Sequence, residues 1–216
     1  MGIYKQGILG PFSGRVGNVV GTFWKGRCVM RVRAASYNDA NTAAQQEQRL
    51  KWRLVTSFVK AHTPFIRLGF GACEQSLTPF NCAVRENLKS AITGNFPDVA
   101  LDPSKLVMSQ GNLAPLGEPT AIADGSNVTL GWMNLVTNEN SFADDKVYVS
   151  LINEENGDVQ LFPAAATRGE EGISLASGLG AGTYHVNVFL VKSDVEFVTK
   201  KDQVSNTQSV GSVTLG

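Results

Sequence analysis

Residues 7–33 read GILGPFSGRVGNVVGTFWKGRCVMRVR, with glycines at 7, 10, 14, 17, 21 and 26 between short runs rich in Val, Phe and Trp. Gly17-Asn18 separates 12–16 from 19–24, and Lys25-Gly26 separates 19–24 from 27–33. Two-residue breaks of this kind are hairpin signals, because glycine supplies the positive φ that tight turns need. The stretch therefore predicts a three-stranded meander. Its last strand is two-faced, with Cys28, Met30 and Val32 on one side and Arg27, Val29, Arg31 and Arg33 on the other. The spacing fits neither G-x-x-x-x-G-K-[ST] nor G-x-G-x-x-G between a strand and a helix, so it does not predict a phosphate-binding loop. It fits turns and bulges in a twisted ribbon, and strands flat enough for another backbone to approach closely.

The chain has 216 residues, 43% of them hydrophobic, enough for one large domain or two small ones. Its net charge of zero hides a division. Residues 1–110 carry 14 Lys+Arg and 6 Asp+Glu, or +8, and residues 111–216 carry 5 and 13, or −8. That asymmetry predicts a basic ribbon-and-helix domain at 1–110 and an acidic domain at 111–216, with opposite partners. The stretch 109–120, SQGNLAPLGEPT, has two Gly, two Pro and no apolar period, and reads as the linker between them. The acidic domain is expected to fold without the rest.

Between the ribbon and the linker, Leu50, Leu54, Val55, Phe58, Val59 and His62 recur at steps of three and four. They predict one face of a helix capped at Asn41 or Thr42. Thr63-Pro64 and Thr78-Pro79 each predict a helix start, with Thr capping and Pro in the first turn. These helices are expected over Pro64–Gln75 and Pro79–Thr93. Lys51, Trp52, Arg53, Lys60 and Arg67 read as a solvated basic face that could also bind nucleic acid. His62 falls on the apolar stripe and reads as a core or helix-end histidine.

Residues 111–216 read as all-β. Strands are predicted over 120–123, 127–133, 146–153, 159–162, 172–176, 183–192 and 207–215, the pattern of a two-sheet sandwich. Alternation puts Val128, Leu130 and Trp132, then Tyr184, Val186, Val188 and Leu190, on inward faces. The three cysteines, Cys28, Cys73 and Cys82, lack C-x-x-C spacing and read as buried reduced thiols, with a Cys73–Cys82 bridge left open. Two histidines make a zinc site a poor reading, and no cofactor or metal is expected. No Ser/Cys–His–acid set can be named from spacing, and the neighbouring carboxylates at 144–145, 154–155 and 170–171 read as surface pairs. Residues 1–10 show no charged-then-apolar leader, and no apolar run is long enough to span a bilayer. The expectation is synthesis in the cytoplasm, or incorporation in a particle.

Two resemblances extend this reading. SNVTLGWMN (126–134) resembles the second strand of a fibronectin type III domain, with Trp132 as its tryptophan. LGAGTYHVNVFLV (179–191) resembles that fold's sixth strand, with Leu179, Gly182 and Tyr184 at the corner. Residues 5–26, the Asn41-Thr42-x-x-Gln45-Gln46-x-Gln48-Arg49 element, TPFIRLGF, the Asn-rich run at 81–88 and the closing SVGSVTL together resemble uncharacterised proteins of Bacteroidota grouped as a domain of unknown function. Ala44 stands where that pattern has proline. The element at 41–49 also resembles small phage structural proteins.

The resulting expectation is an α+β chain, an N-terminal β-ribbon with helices followed by an all-β immunoglobulin/fibronectin III-like sandwich. Its function is read as a non-enzymatic structural or assembly role, in a phage-like virion or another large homomeric assembly. Trp24, Arg27, Arg31 and Arg33 are the expected contact residues. The expected partners are further copies, head to tail, or other particle proteins. A nucleic-acid-binding protein using the basic half and a surface adhesion module are the alternatives.

Overall fold

In the computed structural model the described residues are 2–4, 10–24, 26–36, 39–73, 77–125, 127–134, 140–176 and 180–216. The chain forms two compact units, Met1–Thr42 and Ala43–Gly216.

The first unit is a four-stranded antiparallel sheet in the order β1-β2-β3-β4. Its strands are β1 (Gly2–Tyr4), β2 (Phe12–Val16), β3 (Val19–Trp24) and β4 (Arg27–Val32). The three-stranded meander is present, and β1 adds a strand that the alternation did not predict. Gly17 and Gly26 turn the two hairpins with φ of +58° and +78°, where an L side chain would be strained. Lys25, the other half of the second break, lies outside the described residues.

The second unit begins with α1 (Ala43–Ala61), α2 (Thr63–Gly69) and α3 (Pro79–Ser90). On α1 the predicted stripe faces the core: Val55, Phe58, Val59 and the following His62 are buried. Thr78 caps α3 as expected, its hydroxyl accepting from the Asn81 N–H at 3.3 Å. Thr63 instead lies inside α2, and its hydroxyl donates to the Lys60 carbonyl at 2.7 Å. Both later helices stop short of their predicted ends. A Cβ at Gly69 would come within 2.3 Å of the Met108 carbonyl, and one at Gly71 within 2.2 Å of the Val198 carbonyl. That close backbone packing shapes the end of α2; Gln75, its expected end, lies outside the described residues. After α3 the pair Ile92–Thr93 becomes a two-residue strand, β5, against β6 (Ala100–Leu101).

Seven strands follow: β7 (Gly117–Asp124), β8 (Asn127–Met133), β9 (Lys146–Asn153), β10 (Val159–Thr167), β11 (Gly172–Ala176), β12 (Gly182–Val191) and β13 (Gln208–Leu215). They form two sheets, β10-β9-β12-β13 and β11-β8-β7. Two strands run further than predicted because each continues through a proline at an irregularity. The register of β10 shifts between Phe162 and Ala166, and that of β7 between Gly117 and Thr120. Both are edge strands, where a residue without an N–H is tolerated. Between the sheets lies a core of Val128, Leu130 and Trp132 with Val147, Val149, Leu151, Val186, Val188 and Leu190.

A second core covers the other face of the four-stranded sheet. Ile152, Phe189 and Val191 pack there with Val55, Val59, Phe65, Ile66, Phe70 and Val84 of the helices. The rings of Phe65, Tyr148 and Phe189 meet with centroids 5.1–5.5 Å apart. The unit is thus helices, sheet and sheet in three layers, and the compact division falls at 42/43. A boundary at 110/111 would cut through this core. The expected linker is likewise built in, with Leu113 and Leu116 buried. The Leu116 N–H donates to the Gln208 side chain at 2.7 Å, and the Gly111 N–H donates to that of Asn206 at 3.1 Å. The cysteine reading also changes. Packing of α2 against α3 brings Cys73 and Cys82 into a disulfide, and Cys28 is exposed.

One expected outcome concerns truncation. The fragment 43–216 should unfold in one cooperative thermal transition, whereas 111–216 alone should lack one, because Phe189, Val191 and Ile152 would lose their cover. Circular dichroism melts of both fragments check this; a cooperative melt of 111–216 would contradict the shared core.

A second outcome concerns pH. His62 joins the layers: Nδ1 donates to the Phe58 carbonyl at 3.0 Å, which leaves Nε2 to accept from the Ser150 hydroxyl at 2.9 Å. Burial lowers its pKa to about 4, partly opposed by the Phe58 bond. The unfolded chain takes up this proton near the ordinary value of 6.5 and the folded chain only near 4. Stability from the neutral ring is therefore present above pH 6.5 and falls as pH drops towards 4, by about 3 kcal/mol. Burial lowers His185 as well, so it acts in the same direction. Urea unfolding from pH 7 to 4 should show this slope, and His62→Gln should flatten it.

Candidate assembly interface

The register of the first unit sorts its side chains into two unlike faces. Directly opposed residues share a face, and successive residues alternate. Trp24 lies opposite Arg27, Thr22 opposite Val29, and Val20 opposite both Arg31 and Arg15. One face therefore carries Arg15, Arg27, Arg31 and Trp24. Arg33 follows β4 directly, and its backbone N–H donates to the Asn18 carbonyl at 2.8 Å. The structure thus gathers Trp24, Arg27 and Arg31 on one face with Arg33 at its end, all exposed to solvent. Arg15 is the cation that the sequence reading missed; its Nε donates to the Gly17 carbonyl at 2.9 Å.

The opposite face has no charged residue in β2–β4. Val16 is opposite Val19, which is opposite Val32; Gly14 is opposite Gly21, which is opposite Met30; and Phe23 is opposite Cys28. Phe12 lies across Gly21, where a Cβ would come within 2.3 Å of the Phe12 carbonyl and 2.8 Å of its ring. Glycine alone lets the ring lie there. Beside it a groove of about 330 Å³ is lined by Pro11, Phe12, Ser13, Thr22, Phe23 and Cys28. Phe23, Met30 and Val32 are 68%, 70% and 76% exposed. A run of large apolar groups left in water on one sheet is the mark of an interaction surface, since isolated exposed residues need no such explanation. β4 is also the edge of its sheet, so its outer N–H and C=O groups face away from β3.

The basic helix offers less. Lys51 pairs with Glu47 at 2.6 Å, and Arg53, Lys60 and Arg67 are exposed, as is about half of Trp52. His62 is held in the core.

One hydroxyl–imidazole–carboxylate series is brought together from positions 154, 185 and 209. Its members sit just past β9, on β12 and on β13, so no local spacing could announce it. The Ser209 hydroxyl lies 2.8 Å from His185 Nε2, and Glu154 Oε1 lies 3.7 Å from Nδ1, beyond hydrogen-bond reach. Burial lowers the pKa of His185, with the charges of Glu154 and Asp102 acting the other way. Acyl transfer would also need donors aimed at a developing oxyanion. The amide paired across the ladder from Ser209 is Asn187. Its NH₂ donates to the Pro103 carbonyl at 3.3 Å, and its Oδ1, an acceptor, is buried without a partner.

The carboxylates at 154–155 and 170–171 are exposed, as expected of surface pairs, whereas the pair at 144–145 is divided. Asp145 is buried against Arg168, while Asp144 accepts from the Ser193 hydroxyl. Among the described residues, no group of three or more His, Cys, Asp or Glu is placed to hold a metal ion. No described helix is long and apolar enough to cross a membrane.

Among curated proteins, none is similar enough to the chain to count as a relative. A model of a family of unknown function (DUF6266) matches residues 11–207, from the residue before β2 to the residue before β13. The chain belongs to that family.

Proposed function

We propose that this protein is a non-enzymatic structural component that assembles with further copies of itself through the ribbon of its first unit. The observation that carries the reading is the four-stranded sheet with an Arg/Trp face and an uncharged face, both reaching solvent. The second unit supplies a complement. Every acidic residue described in 111–216 except Asp145 is exposed, so that part of the unit presents many carboxylates to solvent. Arg27, Arg31 and Arg33 of one copy against the exposed carboxylates of 111–216 in the next make a contact between unlike surfaces. Repetition of such a contact gives a ring or a filament. The likeness of residues 41–49 to small phage structural proteins supports a virion or similar particle as the setting. Residues 111–216 read as a fibronectin III-like module. Supporting this are its three-plus-four strand order, Trp132 buried on the second strand, and the Tyr184 hydroxyl donating back to the Gly180 carbonyl at 3.1 Å.

Nucleic-acid binding is the second reading. It is favoured by Trp24 standing among arginines on one face, an aromatic for a base and cations for phosphates.

Sedimentation velocity on nucleic-acid-free protein separates the two. Assembly should be present at low salt and weaken as salt rises, since exposed charges are screened beyond about 10 Å at 0.1 M. Arg27, Arg31 and Arg33 changed together to Glu should dissociate it, and Arg53, Lys60 and Arg67 changed together should not. A monomer at high concentration and low salt that shifts on adding a single-stranded oligonucleotide would replace this reading with the second. For the chemistry, a fluorophosphonate probe should leave Ser209 unlabelled; labelling that is lost in His185→Ala would establish a hydrolase.

A further inference from the structure

The uncharged face of the ribbon is not needed for the arginine-mediated contact, and its chemistry specifies a different partner. It presents Val16, Val19, Phe23, Cys28, Met30 and Val32 around the Phe12 ring, with Phe23, Met30 and Val32 mostly in water. A nucleic acid gains nothing from such a surface, because every phosphate would lose hydration with no cation to replace it. A two-fold contact sets a surface against itself, so a surface whose charges are all of one sign meets its like. This face satisfies that condition. The opposite face does not, since Arg15, Arg27 and Arg31 would be brought against their own copies.

We propose that the uncharged ribbon face packs on the same face of a second copy in a two-fold contact. The proposal rests on the reading of the protein as a self-assembling component, and adds to it a second contact of opposite physical character. Size decides how the two contacts share the task. Six residues at about 3.3 Å along three strands about 4.8 Å apart give a face of roughly 300 Å². That is well below the ~800 Å² per partner typical of stable complexes. The two-fold contact is therefore weak alone and becomes effective when the arginine contact already holds copies together. A ribbon with one self-complementary face and one face for the carboxylates of 111–216 joins copies in two directions.

Cys28 provides the test, because it lies on this face and is the free thiol, Cys73 and Cys82 being joined. Full-length protein is treated with a flexible bismaleimide that spans the face, at low and at high salt, beside a monofunctional maleimide. The expected result is a covalent dimer through Cys28 at low salt, where the arginine contact holds copies together, and a lower yield at high salt, where the apolar contact acts alone. Met30→Lys and Met30→Glu, each alone, should lower the dimer yield at least tenfold. Mixing the two should restore it, which also shows that both variants are folded. If assemblies form at low salt but Cys28 is fully alkylated and gives no crosslinked dimer at either salt, the two-fold contact is overturned while the assembly reading stands. If the protein is monomeric at every salt and concentration and gives no crosslink, both fall.

Discussion

β12 has no solvent side, and the second unit is arranged around that fact. Tyr184, Val186, Val188 and Leu190 face the core between the sheets, while His185, Asn187, Phe189 and Val191 are buried on the opposite side. A strand buried on both faces needs a layer on each. The three-stranded sheet supplies one, and the helices at 43–90 supply the other. Polar groups on the covered outer face must then find partners inside the protein. His185 meets Ser209, the Asn187 amide meets Pro103, and Ser150 on neighbouring β9 meets His62 from the end of α1. Asn87 does the same for the helical layer. Its side chain donates to the Ala83 and Val107 carbonyls at 2.9 and 2.7 Å and accepts from the Val107 N–H at 2.9 Å.

Arg168 fixes the segment that leads into the sheets. Fully buried, it donates to the Ala114 and Pro115 carbonyls at 2.6 and 2.8 Å and pairs with Asp145 at 3.2 Å. Its own carbonyl accepts from the Trp132 indole at 2.8 Å. Burial pushes the Asp145 carboxyl up and the Arg168 guanidinium down from their ordinary values, each partly offset by the other. The pair is therefore better understood as specifying where residues 114–115 lie than as a large source of net stability. This is why a Gly- and Pro-rich stretch that looks like a tether behaves as part of the core.

Legibility followed the range of the interactions. The ribbon's strands β2 and β3, helix α1, and strands β8, β9 and β11 rest on turn chemistry and periodicity, and their positions could be read locally. The strand register then follows from the two-residue turns, so the gathering of Trp24, Arg27 and Arg31 was readable as well. What could not be read was which surfaces meet at a distance. The continuous apolar run 188–191 is the pattern of a strand buried on both faces, which one complete phase of the alternation masks. The charge division at 110 was real in composition and misleading in structure. Solvated charge reports the surface, whereas the boundary of a unit is set by which apolar side chains share a core. The Ser209–His185–Glu154 series depends on register across β12 and β13, and lay beyond any local pattern.

The two sheets that dominate the chain differ in one respect with consequences for function. The β10-β9-β12-β13 sheet has both faces covered, so its apolar residues are already used in folding. The β1-β2-β3-β4 sheet leaves Phe23, Met30 and Val32 in water. Exposed apolar side chains contribute almost nothing to the stability of an isolated sheet, because the hydrophobic effect acts only on area removed from water. Each side chain of this kind that becomes buried in an assembly contributes at that point, on the order of 1.5–3 kcal/mol for full burial. On the assembly reading proposed above, ordering of the ribbon and association would be two parts of one free-energy change. Glycines at the turns and beneath Phe12 suit that coupling: they permit the backbone the ribbon requires without adding side-chain bulk that would keep a partner away.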